Sequence, residues 1–182
     1  MIILLLQSFY IMLPAYFANM APVIAKRLKI LPGMNKPIDM DIKMEDGKPI
    51  FGKHKTYRGV AVGILMGIVV AFVQWLLSPL IGSVSILDYS SYVLIGFLMG
   101  SGAIIGDMVK SFAKRRCGIM PGHKFIPFDQ IDFILGAYLF TLPFYGDFIT
   151  MELLASSIII TFFLHIIVNH AAFYLGIRNE KW

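Results

Sequence analysis

The sequence predicts an all-α integral membrane protein with five transmembrane helices, and two observations lead to that fold class. Hydrophobic residues make up 58% of the 182 residues, charged residues make up 15%, and the mean hydropathy is +0.75. A soluble domain carries about 25% charged residues, so this chain is too apolar to enclose its hydrophobic side chains in one core. In addition, several charge-free runs approach the length of about 20 residues that a helix needs to cross the hydrocarbon. Residues 1–182 are therefore predicted to form a single membrane-embedded domain.

The first three predicted spans follow these apolar runs. Residues 1–25 carry no charge and lack the basic start and small-residue cleavage site of a signal peptide, so we interpret them as a retained helix. Residues 59–81 form the second span, which ends near Ser78-Pro79 because proline disfavours a helical conformation in the residue before it. Residues 89–109 form the third span, and its charge-free part ends at Gly106.

The last two predicted spans carry polar groups. The apolar stretch 133–146 is too short to cross a membrane, so the fourth span is predicted over residues 126–146, which brings Asp129 and Asp132 to the membrane edge. The fifth span, residues 152–177, contains His165, Asn169 and His170. The two histidines are five residues apart and do not share a helix face, so we do not interpret them as a metal pair.

The distribution of basic residues predicts the orientation of the chain. Residues 26–58 hold nine Lys and Arg, residues 107–128 hold five, and the tail holds Arg178 and Lys181, whereas the connections near Asp88 and 147–152 hold none. The positive-inside rule then predicts an outside N-terminus, a cytoplasmic C-terminus and two long cytoplasmic loops in a multi-pass protein of the cell membrane. The net charge of +5 is explained by this orientation, so membrane lipids and no nucleic acid are expected as partners.

Three aspartates are expected at the cytoplasmic ends of spans three and four. Asp107 ends one span, while Asp129 and Asp132 begin the next, antiparallel span and project from one helix face. Carboxylates in a poorly solvated place repel one another unless cations neutralise them, and hard oxygen ligands suit Mg²⁺. The sequence therefore predicts a Mg²⁺ site at these three residues. For Asp129 alone, two residues after Pro127, capping of the helix is the alternative.

The loop between these acids has the composition of a phosphate-binding segment. Lysine offers a compact charge and arginine a planar fork for phosphate oxygens. A carboxylate cluster beside such a loop is typical of phosphoryl or nucleotidyl transfer, so we predict that Asp107, Lys110, Asp129 and Asp132 are catalytic. The other predicted phosphate-binding residues are Lys114, Arg115, Arg116, His123 and Lys124. Orientation and attraction to anionic lipid are the alternative explanation for the basic residues.

The first long loop is interpreted as part of the same site. Lys53, Lys55, Thr56 and Arg58 lead directly into span two, and Lys55 and Arg58 are three residues apart at the start of a helix, where both can face one pocket. Their alternative role is that of positive charges at the membrane edge. Asn19 is polar within an apolar span and should face the protein interior, where it contacts the nucleotide or hydrogen-bonds a neighbouring helix.

Several blocks of these residues occur in an order that is typical of one enzyme family. They are Gly106-Asp107, Lys110-Ser111-Phe112, Lys114-Arg115-Arg116, Pro121-Gly122-His123 and Asp129-Gln130-Ile131-Asp132. This series resembles the cytidylyltransferase signature of the CDP-diacylglycerol synthase family. Gln130 stands where the bacterial enzymes have Arg, and Lys124-Phe125 stand where they have a Gly pair.

At these positions the sequence is similar to the archaeal branch of the family, the CDP-archaeol synthases. The blocks Pro14-Ala15-Tyr16-Phe17-Ala18-Asn19, Pro37-Ile38-Asp39 and Asp46-Gly47 support that branch. The resemblance covers nearly the whole chain. It implies a Mg²⁺-dependent transfer of a cytidylyl group from CTP to the isoprenoid ether lipid phosphate 2,3-bis-O-geranylgeranyl-glycerol 1-phosphate, with release of pyrophosphate. It also adds Ser111 to the expected substrate-binding residues.

Three other functions fit parts of the sequence. A CDP-alcohol phosphotransferase also uses carboxylate-bound metal, but its expected Asp-Gly and Ala-Arg spacing on one helix is missing. A polyprenol kinase would transfer the γ-phosphate and yield CDP instead of pyrophosphate. A cation transporter would need polar groups continuing toward the outer side, whereas spans three and four offer no acid beyond Asp107 and Asp132 until the far connections.

Overall fold

The computed structural model describes residues 1–120 and 123–176, and this part of the chain is helical with irregular connections. Its α-helices are α1 (Ile2–Ile11), α2 (Leu13–Arg27), α3 (Tyr57–Ile81), α4 (Tyr92–Arg116), α5 (Phe128–Tyr145) and α6 (Met151–Tyr174). Short 3-10 turns cover Pro32–Met34, Gly82–Val84, Tyr89–Ser91 and Gly146–Phe148. The predicted motif residues Pro121 and Gly122, the basic tail residues Arg178 and Lys181, and the last residue of the fifth predicted span lie outside the described residues.

Apolar helices long enough to cross a membrane account for most of the described chain. Three helical segments, Tyr57–Val84, Tyr89–Arg116 and Met151–Tyr174, have that length and composition, and the pair α1 and α2 adds a fourth if it is counted as one span. Helix α5 has 18 residues and carries Asp129 and Asp132 in its first turns. Large apolar side chains such as Leu65, Leu139 and Phe163 face outward, as expected for a protein whose solvent is lipid.

The first predicted span is not one continuous helix. It divides into α1 and α2, whose axes are bent by 44°. Pro14 causes the break, because it has no N–H to donate to the carbonyl of Tyr10 and its ring crowds that carbonyl. The Tyr10 carbonyl instead accepts a hydrogen bond of 2.6 Å from Nε2 of Gln74 in α3. The bend therefore does not leave this oxygen unpaired, which would be unfavourable inside a membrane.

Glycines bring α3, α4 and α5 into backbone contact. A Cβ placed on Gly136 of α5 would lie 2.2 Å from the carbonyl oxygen of Gly102 in α4, and one placed on Gly106 would lie 2.3 Å from the carbonyl oxygen of Asp132. Small residues at such crossings let helices pack by backbone contact in lipid, where no hydrophobic effect drives them together. Pairing of 102 with 136 and of 106 with 132 makes α4 and α5 antiparallel, as the sequence predicts.

Hydroxyl pairs join α6 to the other helices inside the core. Tyr16 of α2 and Thr161 of α6 share a hydrogen bond of 2.7 Å, as do Tyr138 of α5 and Ser157 of α6. These buried pairs satisfy polar groups that lipid could not solvate. They set the position of α6 beside α2 and α5, and a cavity lies between these helices.

Candidate active site

The ammonium of Lys110 lies at the centre of the three predicted acidic residues. Its Nζ is 3.1 Å from Oδ1 of Asp107, 3.1 Å from Oδ1 of Asp129 and 3.2 Å from Oδ2 of Asp132. The close backbone contact between α4 and α5 explains this convergence, because Gly106 and Gly136 allow the two helices to place their acids across a short gap. The structure thus brings together all four residues that the sequence predicts to be catalytic.

Two further lysines complete this group. Nζ of Lys55, which comes from the first loop, is paired with Oδ2 of Asp107. Nζ of Lys114 lies 3.1 Å from each carboxylate oxygen of Asp129 and donates a 2.5 Å hydrogen bond to the carbonyl of His123. Three carboxylates therefore meet three ammonium groups. We define the charge cluster as Asp107, Asp129, Asp132, Lys55, Lys110 and Lys114.

The charge cluster is largely withdrawn from solvent. The side chain of Asp132 is 6% exposed and that of Lys114 is 9% exposed. Burial weakens dielectric screening, so each charge in the cluster acts strongly on its neighbours and on any charged ligand. Because the formal charges of the six groups cancel, a polyanionic ligand would need additional positive charge in order to bind beside the three carboxylates.

The three carboxylates of the charge cluster are the predicted Mg²⁺ ligands. Among residues 1–120 and 123–176, no three His, Cys, Asp or Glu side chains are placed to hold one metal ion directly. Two features nevertheless fit a divalent cation: the donors are hard carboxylate oxygens, and a cation, the Lys110 ammonium, already lies among them. The residues present therefore have the donor chemistry that suits Mg²⁺, provided that the Lys110 ammonium leaves its place among the carboxylates.

Asp129 also has a local structural role. Its Oδ2 accepts a 2.6 Å hydrogen bond from the backbone N–H of Phe125, four residues earlier. This bond orders the segment before α5. It is not a helix cap, because the N-cap residue of α5 is Pro127 and no side chain caps it. The same carboxylate contacts Lys110 and Lys114, so it links the loop geometry to the charge cluster.

The first loop carries Lys55 to the cluster by folding back on itself. The N–H of Ile38 donates to the carbonyl of Lys55 at 2.8 Å, and the N–H of Tyr57 donates to the carbonyl of Lys36 at 3.1 Å. These bonds pair the beginning and end of the segment 36–57. Lys55 therefore stands at a defined position beside Asp107, although it lies 52 residues away in sequence.

Asp39 holds the interior of that loop together. Its buried carboxylate accepts backbone N–H groups of Phe51 at 3.0 Å, Gly52 at 2.9 Å and Asp41 at 3.3 Å. Burial acts to raise the pKa of Asp39, but the N–H donors outweigh it and hold that pKa below its usual range. Asp39 therefore positions this loop, a role that the sequence analysis did not assign to it. Its signal was the short Pro37-Ile38-Asp39 block.

Arg116 ties the same loop to the end of α4. Its guanidinium bonds Oδ1 of Asp46 at 2.6 Å and the carbonyl of Pro49 at 2.6 Å, and it lies 5.3 Å from the ring centre of Phe112. Arginine suits this role because its planar fork can donate to several acceptors at once. Arg116 was predicted to bind phosphate, but the structure shows its guanidinium engaged in holding the loop.

Four other predicted substrate-binding residues also have protein partners. The 5% exposed Arg58 donates to Oδ1 of Asn35 at 2.8 Å, and Arg115 donates to the carbonyl of Ile119 at 2.6 Å. The hydroxyl of Thr56 accepts from the N–H of Gly59 and so caps α3. The hydroxyl of Ser111 donates to the carbonyl of Asp107 at 2.8 Å within α4. These contacts build the scaffold around the charge cluster.

The remaining predicted substrate-binding residues are exposed or line a cavity. Lys53, His123 and Lys124 have exposed side chains. Asn19 lines a cavity of about 110 Å³ between α2, α5 and α6, together with His165 and Asn169. The structure thus places two polar residues of the fifth predicted span at this cavity.

The cavity is mainly apolar, and one of its lining residues neighbours a member of the charge cluster in sequence. Its lining includes Met20, Val23, Leu164 and Val168 from α2 and α6, and Phe133 from α5. Phe133 follows Asp132 directly in α5. Tyr16 and Thr161, joined by their hydroxyl pair, also line the cavity. An apolar space of this kind can accommodate the hydrocarbon part of an amphipathic ligand.

Known proteins of one family are similar to this chain over nearly its whole length. A family model described as "CarS-like: CDP-archaeol synthase" matches residues 1–182. Curated proteins named CDP-archaeol synthase are similar to this chain. The one from Staphylothermus marinus is 40% identical and the alignment covers 91% of this chain and 86% of that protein. The one from Archaeoglobus fulgidus is 33% identical over 100% of both chains.

A solved structure supports the same relationship. It is described as an intramembrane enzyme for archaeal membrane lipids biosynthesis, and it superimposes on this chain with a TM-score of 0.71 and 29% sequence identity. The match covers 88% of this chain and 90% of the other. The helical architecture is therefore shared with an enzyme that works within the membrane.

Proposed function

This chain belongs to the CDP-archaeol synthase family of CTP-dependent cytidylyltransferases, and from that premise we propose a specific reaction for it. The enzyme transfers the cytidylyl group of CTP to the phosphate of 2,3-bis-O-geranylgeranyl-glycerol 1-phosphate and releases pyrophosphate in a Mg²⁺-dependent reaction. The observation that carries the proposal is the charge cluster, where three carboxylates and three ammonium groups meet in a protein that also contains an apolar cavity.

The chemical step needs no protein nucleophile. An oxygen of the lipid phosphate attacks the α-phosphorus of CTP, a new phosphorus–oxygen bond forms, and the bond between the α-phosphorus and the bridging α–β oxygen breaks. Pyrophosphate leaves with that bridging oxygen. A phosphate monoester has a second pKa of about 6 and is already anionic near neutral pH, so the reaction does not require a strong general base.

The acidic and the basic residues of the charge cluster have different proposed roles. Asp107, Asp129 and Asp132 would hold Mg²⁺, which when bound supplies positive charge to phosphate oxygens and to the departing pyrophosphate. Lys55, Lys110 and Lys114 would bind and orient the phosphates of CTP and the lipid. Lys53, His123 and Lys124, whose side chains are exposed, would meet the outer phosphates or the nucleoside.

The lipid enters sideways from the bilayer in this proposal. The apolar residues of the cavity between α2, α5 and α6 receive part of an isoprenoid chain, and Asn19 and Asn169 lie near the polar glycerol end. Because Phe133 of the cavity lining follows Asp132 in α5, a lipid held in this space would direct its phosphate toward the charge cluster. A lateral route lets the substrate keep its hydrocarbon in an apolar environment throughout.

The proposed membrane arrangement has five spans in the cell membrane. The bent pair of α1 and α2 and helix α5 then cross together with α3, α4 and α6, the N-terminus lies outside, and the C-terminus lies in the cytoplasm. The two loops rich in Lys and Arg support this orientation. It places the charge cluster on the cytoplasmic side, where CTP is available.

The test of the function is product formation by the purified, detergent-solubilised protein. It receives Mg²⁺, the geranylgeranyl ether lipid phosphate, and CTP, ATP, GTP or UTP in turn. Release of pyrophosphate that depends on both lipid and CTP, with label from α-³²P-CTP in the lipid product, is expected. Formation of CDP with label from γ-³²P-CTP in the lipid would instead establish a kinase. No nucleotide-dependent product from folded protein would reject the proposal.

Replacement of Lys55 by Ala tests the part played by the first loop. Because Lys55 contacts Asp107 from a loop that is fixed by backbone pairing, its removal is expected to lower turnover about tenfold or more. Steady-state pyrophosphate release at varied CTP and lipid concentrations measures this effect. Lys43→Ala, in an exposed part of the same loop, is the matched control. Unchanged turnover and Michaelis constants in Lys55→Ala would assign Lys55 to membrane-edge charge only.

A further inference from the structure

Lys110 has an unusual set of contacts for a phosphate-binding lysine. Its Nζ lies 3.1–3.2 Å from one oxygen of each of the three acidic residues, two of which come from the neighbouring helix. One ammonium thus neutralises the centre of the acidic group. This ammonium is a cation, as the proposed Mg²⁺ is, and it lies among the three carboxylates that would hold that ion.

The anchoring of Lys110 differs from that of Lys114. The ammonium of Lys114 is fixed by a 2.5 Å hydrogen bond to the carbonyl of His123 in addition to its contacts with Asp129. In the part of the chain described here, the ammonium of Lys110 contacts the three carboxylates and no backbone carbonyl. Lys110 therefore acts on Asp132 as a point charge that another cation can replace.

We propose that Lys110 is an exchangeable counter-ion: its ammonium occupies the cation position among Asp107, Asp129 and Asp132 in the substrate-free enzyme and withdraws when a divalent cation binds. This inference rests on the proposed Mg²⁺-dependent function. The side chain of lysine has four flexible carbons, so Nζ can leave the carboxylates without movement of α4. Once released, it is available to the phosphates that accompany the metal.

Two consequences follow from such an exchange. The three carboxylates remain neutralised before the substrate arrives, so their mutual repulsion does not separate α4 from α5. In return, the divalent cation must compete with an internal cation. If the ammonium has withdrawn in only about one molecule in ten, the apparent affinity for metal is about tenfold weaker than that of the vacated site.

The exchange can be measured directly by metal binding. Mn²⁺, a spectroscopic substitute for Mg²⁺, is titrated into the full-length detergent-solubilised protein without nucleotide or lipid, and free Mn²⁺ is followed by electron paramagnetic resonance. Lys110→Met and Lys110→Gln are expected to bind Mn²⁺ about tenfold more tightly than the unchanged protein. Lys43→Met should bind Mn²⁺ like the unchanged protein, because Lys43 lies in an exposed part of the first loop.

The outcomes separate this inference from the proposed function. Equal or weaker Mn²⁺ binding by folded Lys110 variants would overturn the exchange, whatever the activity of the unchanged protein. If the unchanged protein releases pyrophosphate yet binds no divalent cation, the metal part of the proposed function fails instead. Thermal unfolding provides a second readout, since the Lys110 variants should gain more stability from Mn²⁺ than the unchanged protein does.

A measurement on the unchanged protein covers the case in which neither variant folds. Lysines are labelled with a small amine-reactive reagent and quantified by mass spectrometry, with and without saturating Mg²⁺. Release from the carboxylates is expected to raise the labelling rate of Lys110 severalfold, while Lys43 keeps its rate. An unchanged rate for Lys110 at a Mg²⁺ concentration that demonstrably binds would overturn the inference.

Discussion

Asp132→Asn is expected to reduce pyrophosphate release by about a hundredfold to a thousandfold, the scale of losing one key electrostatic group in an active site. Asparagine keeps the shape of the side chain but removes the negative charge that faces Lys110 at 3.2 Å. The proposed Mg²⁺ then loses one of three anionic ligands in a buried place where water cannot easily replace it. Asp129→Asn should act in the same direction, because Asp129 contacts both Lys110 and Lys114.

The matched control for these changes is Asp147→Asn. Asp147 is exposed in the short turn between α5 and α6, far along α5 from the charge cluster. Turnover at saturating CTP and lipid is compared for all three variants, with thermal unfolding to show that each one is folded. Near-normal turnover in both Asp129→Asn and Asp132→Asn would remove the metal assignment, whereas a loss confined to these two variants would support it.

Gly136→Val should destabilise the protein by about 3 kcal/mol or more and abolish most of its activity. A Cβ on Gly136 would lie 2.2 Å from the carbonyl oxygen of Gly102, and the contact is with backbone, so no side chain can move aside. Overpacking of this kind costs about 1–3 kcal/mol even where side chains can adjust. Separation of the two helices by about 1 Å would also misplace Asp132, and such a shift can cost about a hundredfold in rate.

Gly146→Ala is the control for this change. A Cβ on Gly146 meets nothing within 4 Å, so the added methyl group should leave both unfolding and turnover unchanged. Thermal unfolding in detergent and pyrophosphate release measure the two effects separately. A Gly136→Val protein with ordinary stability and turnover would show that α4 and α5 do not need their backbone contact to form the site.

The contribution of the sequence is clearest in the helices and in the acidic residues. Charge-free runs placed α3 and α6 within a few residues of their observed bounds, since the lipid environment demands long apolar helices whatever the neighbouring packing is. Helix α4 continues to Arg116, seven residues beyond its predicted end, because its last turns are charged. Asp107, Asp129 and Asp132 could be grouped because antiparallel helices joined by one loop bring their ends to a common level. The bend between α1 and α2 was missed, although Pro14 was its visible cause.

The roles of the long basic side chains could not be predicted from the sequence. From the sequence, Arg58, Arg115 and Arg116 are indistinguishable from phosphate-binding residues, yet each has protein partners in the structure. An arginine or lysine can reach many acceptors within several ångströms of its backbone. Which acceptor it meets depends on loop folding, and here on the pairing of residues 36–38 with 55–57 around the buried Asp39.

The sequence by itself determined that this is a helical membrane protein with acids and bases gathered at two loops, because hydropathy and charge are properties of the residues themselves. Only the tertiary structure decided that Lys110 lies between the three carboxylates and that Lys55 reaches Asp107 from a distant loop. That outcome depends on how closely Gly102, Gly106 and Gly136 let α4 and α5 approach, since the distance between two backbones sets which charges can meet.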